Sequence, residues 1–385
     1  MWRHIVSNFL SILIVILLAI GAAVAWGQKQ FTGPGPLAEA VCFVVPQGAS
    51  FSGLTPRLSE QGVISSEYIF RAGLDYSGKA PQLKHGSYLI EPATPMEKVI
   101  DQLTTSGASS CGAEVIYRIG VRATDVVLRE LDPATKEMAE IAKVKVGEEA
   151  FPEELTKALE GQDTRMRVTV AEGVTSWQVV DGLNRFDKLT GEAGDRPAEG
   201  TLAPGSYEVG KDLSRAGLIA RMEAVQTETL DRLWEGRAEG LPYKTKEEAL
   251  VMASIVEKET GIAEERHQVA GVFVNRLEKG MKLQTDPAVI YGVTKGEGIL
   301  DRGLRASELK RSTPYNTYVI AGLPPTPIAN PGEAAIEAAL HPDETDYLFF
   351  VADGSGGHAF ATTLAEHNAN VAKWRKIEAE KKAAQ

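Results

Sequence analysis

The chain has 385 residues, room for two or three domains, and 43% hydrophobic with 24% charged side chains, the balance of ordinary folded protein. Its formal charge of -11 argues against a nucleic-acid binder, because phosphate binding needs a basic face. Its two cysteines, Cys42 and Cys111, rule out a disulfide scaffold or a cysteine zinc cluster. A single bridge between them is open to an exported protein.

The N-terminal run FLSILIVILLAIGAAVAW, Phe9 to Trp26, holds 18 residues without a charge, just long enough to span a bilayer. Arg3 and the amino terminus precede it, so the positive-inside rule keeps residues 1–8 cytoplasmic and exports the chain beyond Trp26. Ala23-Val24-Ala25 resembles a signal-peptidase site. The run is nevertheless longer than a usual signal h-region, which favours an uncleaved single-pass anchor over 9–26. The bulk of the chain is expected to be an ectodomain anchored in the cell inner membrane and facing the periplasm. Residues 27–40 are rich in Gly and Pro and read as a linker.

Two similar modules come next. One, over 41–105, has VVPQGAS at Val44 to Ser50, a helical run to about Gly62, and HGSYLIEP at His85 to Pro92. The other, over 166–215, has VTVAEGVT at Val168 to Thr175, a helical run through Trp177, Val180 and Leu183, and PGSYEV at Pro204 to Val209. Both read as strand, Gly turn, helix and Gly-Ser-Tyr strand, a weak internal repeat. Such βα modules resemble the LysM type that grips polysaccharide. Between them, residues 106–165 are acidic and poor in aromatics, and are expected to be mostly helical or partly flexible. A long helix is expected from about Leu213 to Arg237. Residues 216–371 carry the dense motifs, and 372–385 form a solvated charged helix end.

The stretch TKEEALVMASIVEKET, Thr245 to Thr260, reads as a helix. Thr245 with Glu248 is a capping-box start, and Gly261 is a stop. At about 100° per residue, Met252, Ile255 and Val256 form one apolar stripe. Glu259 falls within it, while Glu257 and Lys258 point elsewhere. A carboxylate there is paired, protonated or lining a cleft. A general acid with a raised pKa and a structural glutamate held by an arginine both remain open. A second helix runs from about Glu264 to Lys279, capped by Gly280. Arg276 lies near its apolar side, either as partner to a buried carboxylate or as a snorkelling cation.

Three loops carry the remaining motifs. Gln284-Thr285-Asp286-Pro287 is a polar turn ahead of an expected short strand, Ala288 to Tyr291. Pro314 to Tyr318 (PYNTY) combines two aromatics with an amide, and Gly322 to Pro331 is a stiff proline loop ending in Asn330-Pro331. Tyrosine rings and amides on rigid loops suit a sugar site. Tyr347 to Val351 is expected to be a buried strand that returns through a Gly-rich turn to His358 as a hairpin. No G-x-S-x-G, H-E-x-x-H or P-loop is present, so serine-hydrolase, zinc and nucleotide chemistry lack support.

Taken together, LPYKTKEE, MASIVEKET, VAGVFVNRLEKGMKLQTDPAVIYG, TPYNTYVIAGLPPTPIANPG and YLFFVADGSGGHAFATTLAEHN, spread over 241–368, resemble the MltG (YceG-like) endolytic murein transglycosylases. The resemblance implies an α+β fold: N-terminal transmembrane helix, LysM-like modules and a mixed α+β catalytic domain. It implies cleavage of the β-1,4 bond between N-acetylmuramic acid and N-acetylglucosamine without water or cofactor, leaving a 1,6-anhydro end. It also implies Glu259, the second Glu of E-K-E-T, as the catalytic residue. Gln284, Asp286, Tyr315, Asn316, Asn330 and His358 are expected to orient the sugars or Glu259. Implied partners are glycan strands and a penicillin-binding peptidoglycan synthase. Where the family carries E-G-x-x-x-P-D-T-Y, this chain has Glu199 to Tyr207 with Gly205 and Ser206 in place of Asp and Thr.

Overall fold

The computed structural model describes residues 2–105, 111–148, 150–161, 164–210 and 213–383. The start of the expected acidic insert and the last two residues of the charged tail lie outside the described residues. The chain divides into two compact units.

The first unit opens with α1 (Trp2–Thr32). Its segment Leu10–Thr32 is long and apolar enough to cross a membrane. The helix continues six residues beyond Trp26, through the first part of the expected linker. β1 (Val41–Val45) leads by a turn at Gly48 into α2 (Phe51–Glu60) and α3 (Glu67–Ser77), then β2 (Gly86–Ile90) and α4 (Met96–Thr105). β1 and β2 pair antiparallel, and Phe43, Leu58, Phe70, Tyr88 and Leu103 fill the core behind them. A disulfide joins Cys42 to Cys111, with 5.8 Å between their Cα atoms.

The stretch expected to be helical or flexible is instead mainly strand: β3 (Ala113–Ile119), β4 (Thr124–Leu131) and β5 (Met138–Lys145), with one helix, α5 (Glu153–Glu160). β5 is an edge strand, exposed at most positions and carrying Glu140, Lys143 and Lys145 among its apolar residues, so it lacks the apolar signature of a buried strand. β6 (Arg165–Val170), α6 (Ser176–Asn184) and β7 (Gly205–Glu208) come after it, and the sheet order is β5-β4-β3-β6-β7.

The repeat is present in the backbone. Phe43 faces Tyr88, Val44 faces Ser87 and Val45 faces Gly86; in the second copy Val168, Thr169 and Val170 face Tyr207, Ser206 and Gly205. Each tyrosine hydroxyl donates to the carbonyl four residues upstream, Tyr88 to Lys84 at 3.0 Å and Tyr207 to Ala203 at 2.7 Å. Each glycine turn, Gly48 (φ 77°) and Gly173 (φ 75°), uses left-handed backbone that favours glycine.

The second unit continues with α7 (Arg215–Glu235), α8 (Lys246–Glu259), α9 (Arg266–Glu278), α10 (Asp286–Thr294), α11 (Ala306–Lys310) and α12 (Glu333–Leu340). The hairpin β8 (Phe349–Ala352) and β9 (His358–Ala361) and the long α13 (Leu364–Ala383) close it. α8 is its axle. Ala249 to Val256 are all buried, so the helix is enclosed on every side rather than along one stripe. Thr245 Oγ1 accepts the Glu248 N–H at 3.2 Å, and the Glu248 carboxylate reaches back to the Lys244 N–H at 2.6 Å. The capping box thus closes one residue earlier than expected.

Two local readings are corrected. Ala288 to Tyr291 is helix, not strand. Thr285 is the N-cap and Pro287 sits in the first turn of α10, a helix start that a short apolar run alone does not reveal. The strand at Phe349–Ala352 is only half-buried along its length.

Candidate active site

Glu259 is the last residue of α8, with Thr260 as C-cap. A helix C-terminus carries the negative end of the helix dipole, which opposes a carboxylate. Burial is the main influence raising the Glu259 pKa above its ordinary value, and the charge of Asp286 adds to it. The Thr285 hydroxyl, His358 and Arg276 pull in the opposite direction, Thr285 most strongly. Thr285 Oγ1 is buried and makes no hydrogen bond of good geometry, so it acts on Glu259 as a nearby dipole.

Each neighbour is held from behind. Gln284 adopts φ 51° and donates its N–H to Thr317 O at 3.1 Å. The Thr317 hydroxyl accepts the Thr285 N–H at 3.0 Å and donates to Thr285 O at 3.0 Å. These bonds pin the start of α10. Asp286 accepts the Tyr318 hydroxyl at 2.7 Å, and burial together with Asp286 pushes that phenol's pKa up. His358 is gripped twice by Glu265: its backbone N–H donates to Oε1 at 2.9 Å, and Nδ1 lies 2.7 Å from Oε2. An ionised carboxylate only accepts, so Nδ1 carries the proton and Nε2 is left for other partners. The edge-on Phe350 ring, 5.3 Å away, completes the clamp.

Arg276 is buried, not snorkelling. Nε donates to Leu348 O at 2.6 Å and Nη1 to Leu283 O at 2.5 Å, while its charge reaches Glu259 through space. Glu257 and Lys258 turn away, as expected. Glu257 accepts the Gly332 N–H at 3.1 Å, and Lys258 Nζ donates to Gly173 O at 3.1 Å.

Asp286 and His358 therefore act on Glu259, while Gln284 is tied to the site through its backbone bond and its place beside Thr285. Three other predicted residues make their contacts elsewhere. Asn316 is fully buried, its amide donating to Glu308, Leu309 and Arg311 carbonyls and its carbonyl accepting the Tyr318 N–H. Asn330 is likewise buried, donating to Val174 O at 2.9 Å and accepting the Leu202 N–H at 3.0 Å. Amides with both ends spent on backbone hold loops and are not free for a sugar. Tyr315 packs on Tyr291 at 5.0 Å, and its hydroxyl bonds Thr326 at 2.8 Å.

Sequence reasoning passed over Thr285, Tyr318 and Glu265. The first two lie inside loops already singled out; Glu265 gives no signal beyond its charge. It also passed over the role of Glu199, a buried carboxylate that accepts the Ser176 N–H at 2.7 Å and the Tyr291 hydroxyl at 3.1 Å. The departures at Gly205 and Ser206 fall on exposed positions of β7, and none of the groups that shift Glu259 belongs to that strand.

The YceG-like family model matches residues 142–373 of this chain, well over half of it. An endolytic murein transglycosylase of Bacillus subtilis is 33% identical over 91% of this chain and 89% of its own length. The chain belongs to the YceG-like family. Another endolytic murein transglycosylase, from Streptococcus pneumoniae, is 27% identical over 86% of this chain and 57% of its own. A crystal structure of a YceG-like protein from Listeria monocytogenes is 25% identical, covering 86% of this chain and 98% of that one, with a TM-score of 0.46.

Proposed function

We propose that this chain is a membrane-anchored lytic transglycosylase that cuts peptidoglycan strands internally, with Glu259 as its single acid and base. The observation that carries the reading is the Glu259 carboxyl itself, half-buried at the end of α8 and raised in pKa by its desolvation there. The names its relatives carry support the substrate class.

The chemistry needs one carboxylate because the nucleophile belongs to the substrate. Glu259, protonated, gives its proton to the oxygen bridging muramic C1 and the neighbouring glucosamine, and that C1–O bond breaks. The C6 hydroxyl oxygen then bonds to C1, and its proton passes to the Glu259 carboxylate, restoring the acid and leaving a 1,6-anhydro end. A pKa near neutrality serves both halves. Arg276 and His358 stabilise the carboxylate formed between them. Gln284, Asp286 and the free nitrogen of His358 orient the sugar. The repeated βα modules hold the glycan, as their likeness to LysM suggests, and α1 keeps the cutter beside the outer face of the membrane near a peptidoglycan synthase.

A second reading has one observation behind it. Asp286 acts electrostatically on Glu259, and a paired carboxylate is what a hydrolysing muramidase requires. Product analysis separates the two. The full chain and its Glu259→Gln variant are incubated with purified peptidoglycan, and fragments are identified by mass spectrometry. Fragments ending in 1,6-anhydro-muramic acid, absent with the variant, are expected. Reducing ends would establish a hydrolase, and equal cleavage by the variant would remove Glu259 from the mechanism.

A further inference from the structure

We propose that α3 lies on the bilayer surface, with Tyr68, Ala72 and Tyr76 seated in the lipid head-group layer. This rests on the membrane-anchored reading above, and goes beyond it by adding a second contact with lipid.

Tyr68 is 88% exposed and Tyr76 is 96% exposed, whereas Leu18 in the apolar run of the anchor helix reaches 68%. Two such side chains on one short helix are unusual for a surface that meets only water. They are not scattered. Tyr68, Ala72 and Tyr76 are spaced four apart on α3 and form one exposed stripe. Phe70 and Leu74 point to the opposite side, into the core.

The height of α3 is set by the anchor. Phe31, in the last turn of α1, packs its ring against Gly73 in the middle of α3, where a side chain on Gly73 would collide with it. Trp26, 61% exposed, ends the apolar run, where an interfacial aromatic belongs. Phe31 is five residues further on, about 7.5 Å along the axis. The head-group layer on each side of the hydrocarbon is roughly 5–8 Å thick. α3 is thus docked to α1 at head-group level.

Tyrosine suits that layer, its ring favouring the apolar side and its hydroxyl the wet side. The contact is aromatic rather than electrostatic: Arg71 pairs with Glu67 at 3.1 Å, and the exposed Asp75 leaves α3 without a basic surplus. The stripe accordingly needs no anionic lipid.

The test uses the full chain in phosphatidylcholine vesicles. Both native cysteines are in the disulfide, so Tyr68→Cys and Tyr76→Cys each introduce a single thiol for a nitroxide label. At both positions, the ratio of oxygen to water-soluble nickel-chelate collisions is expected to be several-fold higher than at a Glu239→Cys label on the exposed surface of the second unit, with little change when phosphatidylglycerol is added. A ratio equal to that control at both labels would overturn the proposal while leaving the anchor intact. Spin–spin broadening that vanishes on dilution with unlabelled chain would also overturn it, since the stripe would then be meeting a second copy. Failure of the chain to float with the vesicles would remove the anchor reading, and this proposal with it.

Discussion

Glu259 sits half-buried at a helix C-terminus, within the electrostatic reach of Asp286. Three influences there oppose its charge, and only a hydroxyl and two basic groups favour it. Because the folded-state pKa is raised above the ordinary 4.5, ionisation weakens the fold. The stability that the protonated form contributes is complete below about 4.5 and is lost as pH rises through the raised value. Glu259→Gln cannot ionise, so it is expected to match the natural chain in thermal stability near pH 4. Above that it should become increasingly the more stable of the two as pH rises toward neutrality, while losing turnover. Melting curves from pH 4 to pH 8 read this directly; equal midpoints throughout would mean that burial does not act on the carboxyl. The same scale shows where reading residues runs short. The asparagines of PYNTY and IANP have the chemistry to bind a sugar, but whether an amide faces solvent or backbone depends on the loops that close over it, and here Asn316 and Asn330 are sealed.

At the level of elements, the site is the place where the ends of α8, α9 and α10 meet β9. α9 brings Arg276, and its fit depends on Gly271. A Cβ on Gly271 would lie 2.5 Å from the Asp343 carbonyl oxygen, a backbone atom that cannot swing aside. Gly271→Ala is expected to cost about 1–3 kcal/mol through forced displacement of α9. It should lower turnover as well, because Arg276 lies little more than a turn further along the same helix. Urea unfolding and anhydro-end formation measured on one preparation check both effects; a variant of unchanged stability would show that the 341–346 loop yields instead. Helices with capping signals, α8 among them, were legible in the chain. α10 was not, because its Thr-Asp-Pro start looks like any polar turn until the helix behind it is seen. β3, β4 and β5 were not legible, because they lie in a stretch whose overall acidity reads as an insert and strands take their place from pairing and packing rather than from composition.

For the whole molecule, the disulfide constrains the first unit. Cys42 and Cys111 are separated by 69 positions, and closing so long a loop reduces the freedom of the unfolded chain. Reduction, or Cys42→Ser with Cys111→Ser, is expected to lower stability by about 2–4 kcal/mol and to leave Glu259 chemistry working. Denaturant unfolding under oxidising and reducing conditions, beside product analysis, tests this; loss of activity at preserved stability would tie the bridge to the site. The sequence by itself determined the apolar N-terminal helix, the strand, turn and helix pattern, the family, and the different facing of Glu259 from Glu257 and Lys258. Those features are local, set by hydropathy, by glycine and by short spacing. Only the tertiary structure decided that Thr285, Asp286 and His358 act on one carboxyl, that Glu265 holds the histidine and that two candidate asparagines are buried braces. Burial and electrostatic influence arise between residues far apart in the chain, and no local spacing carries them.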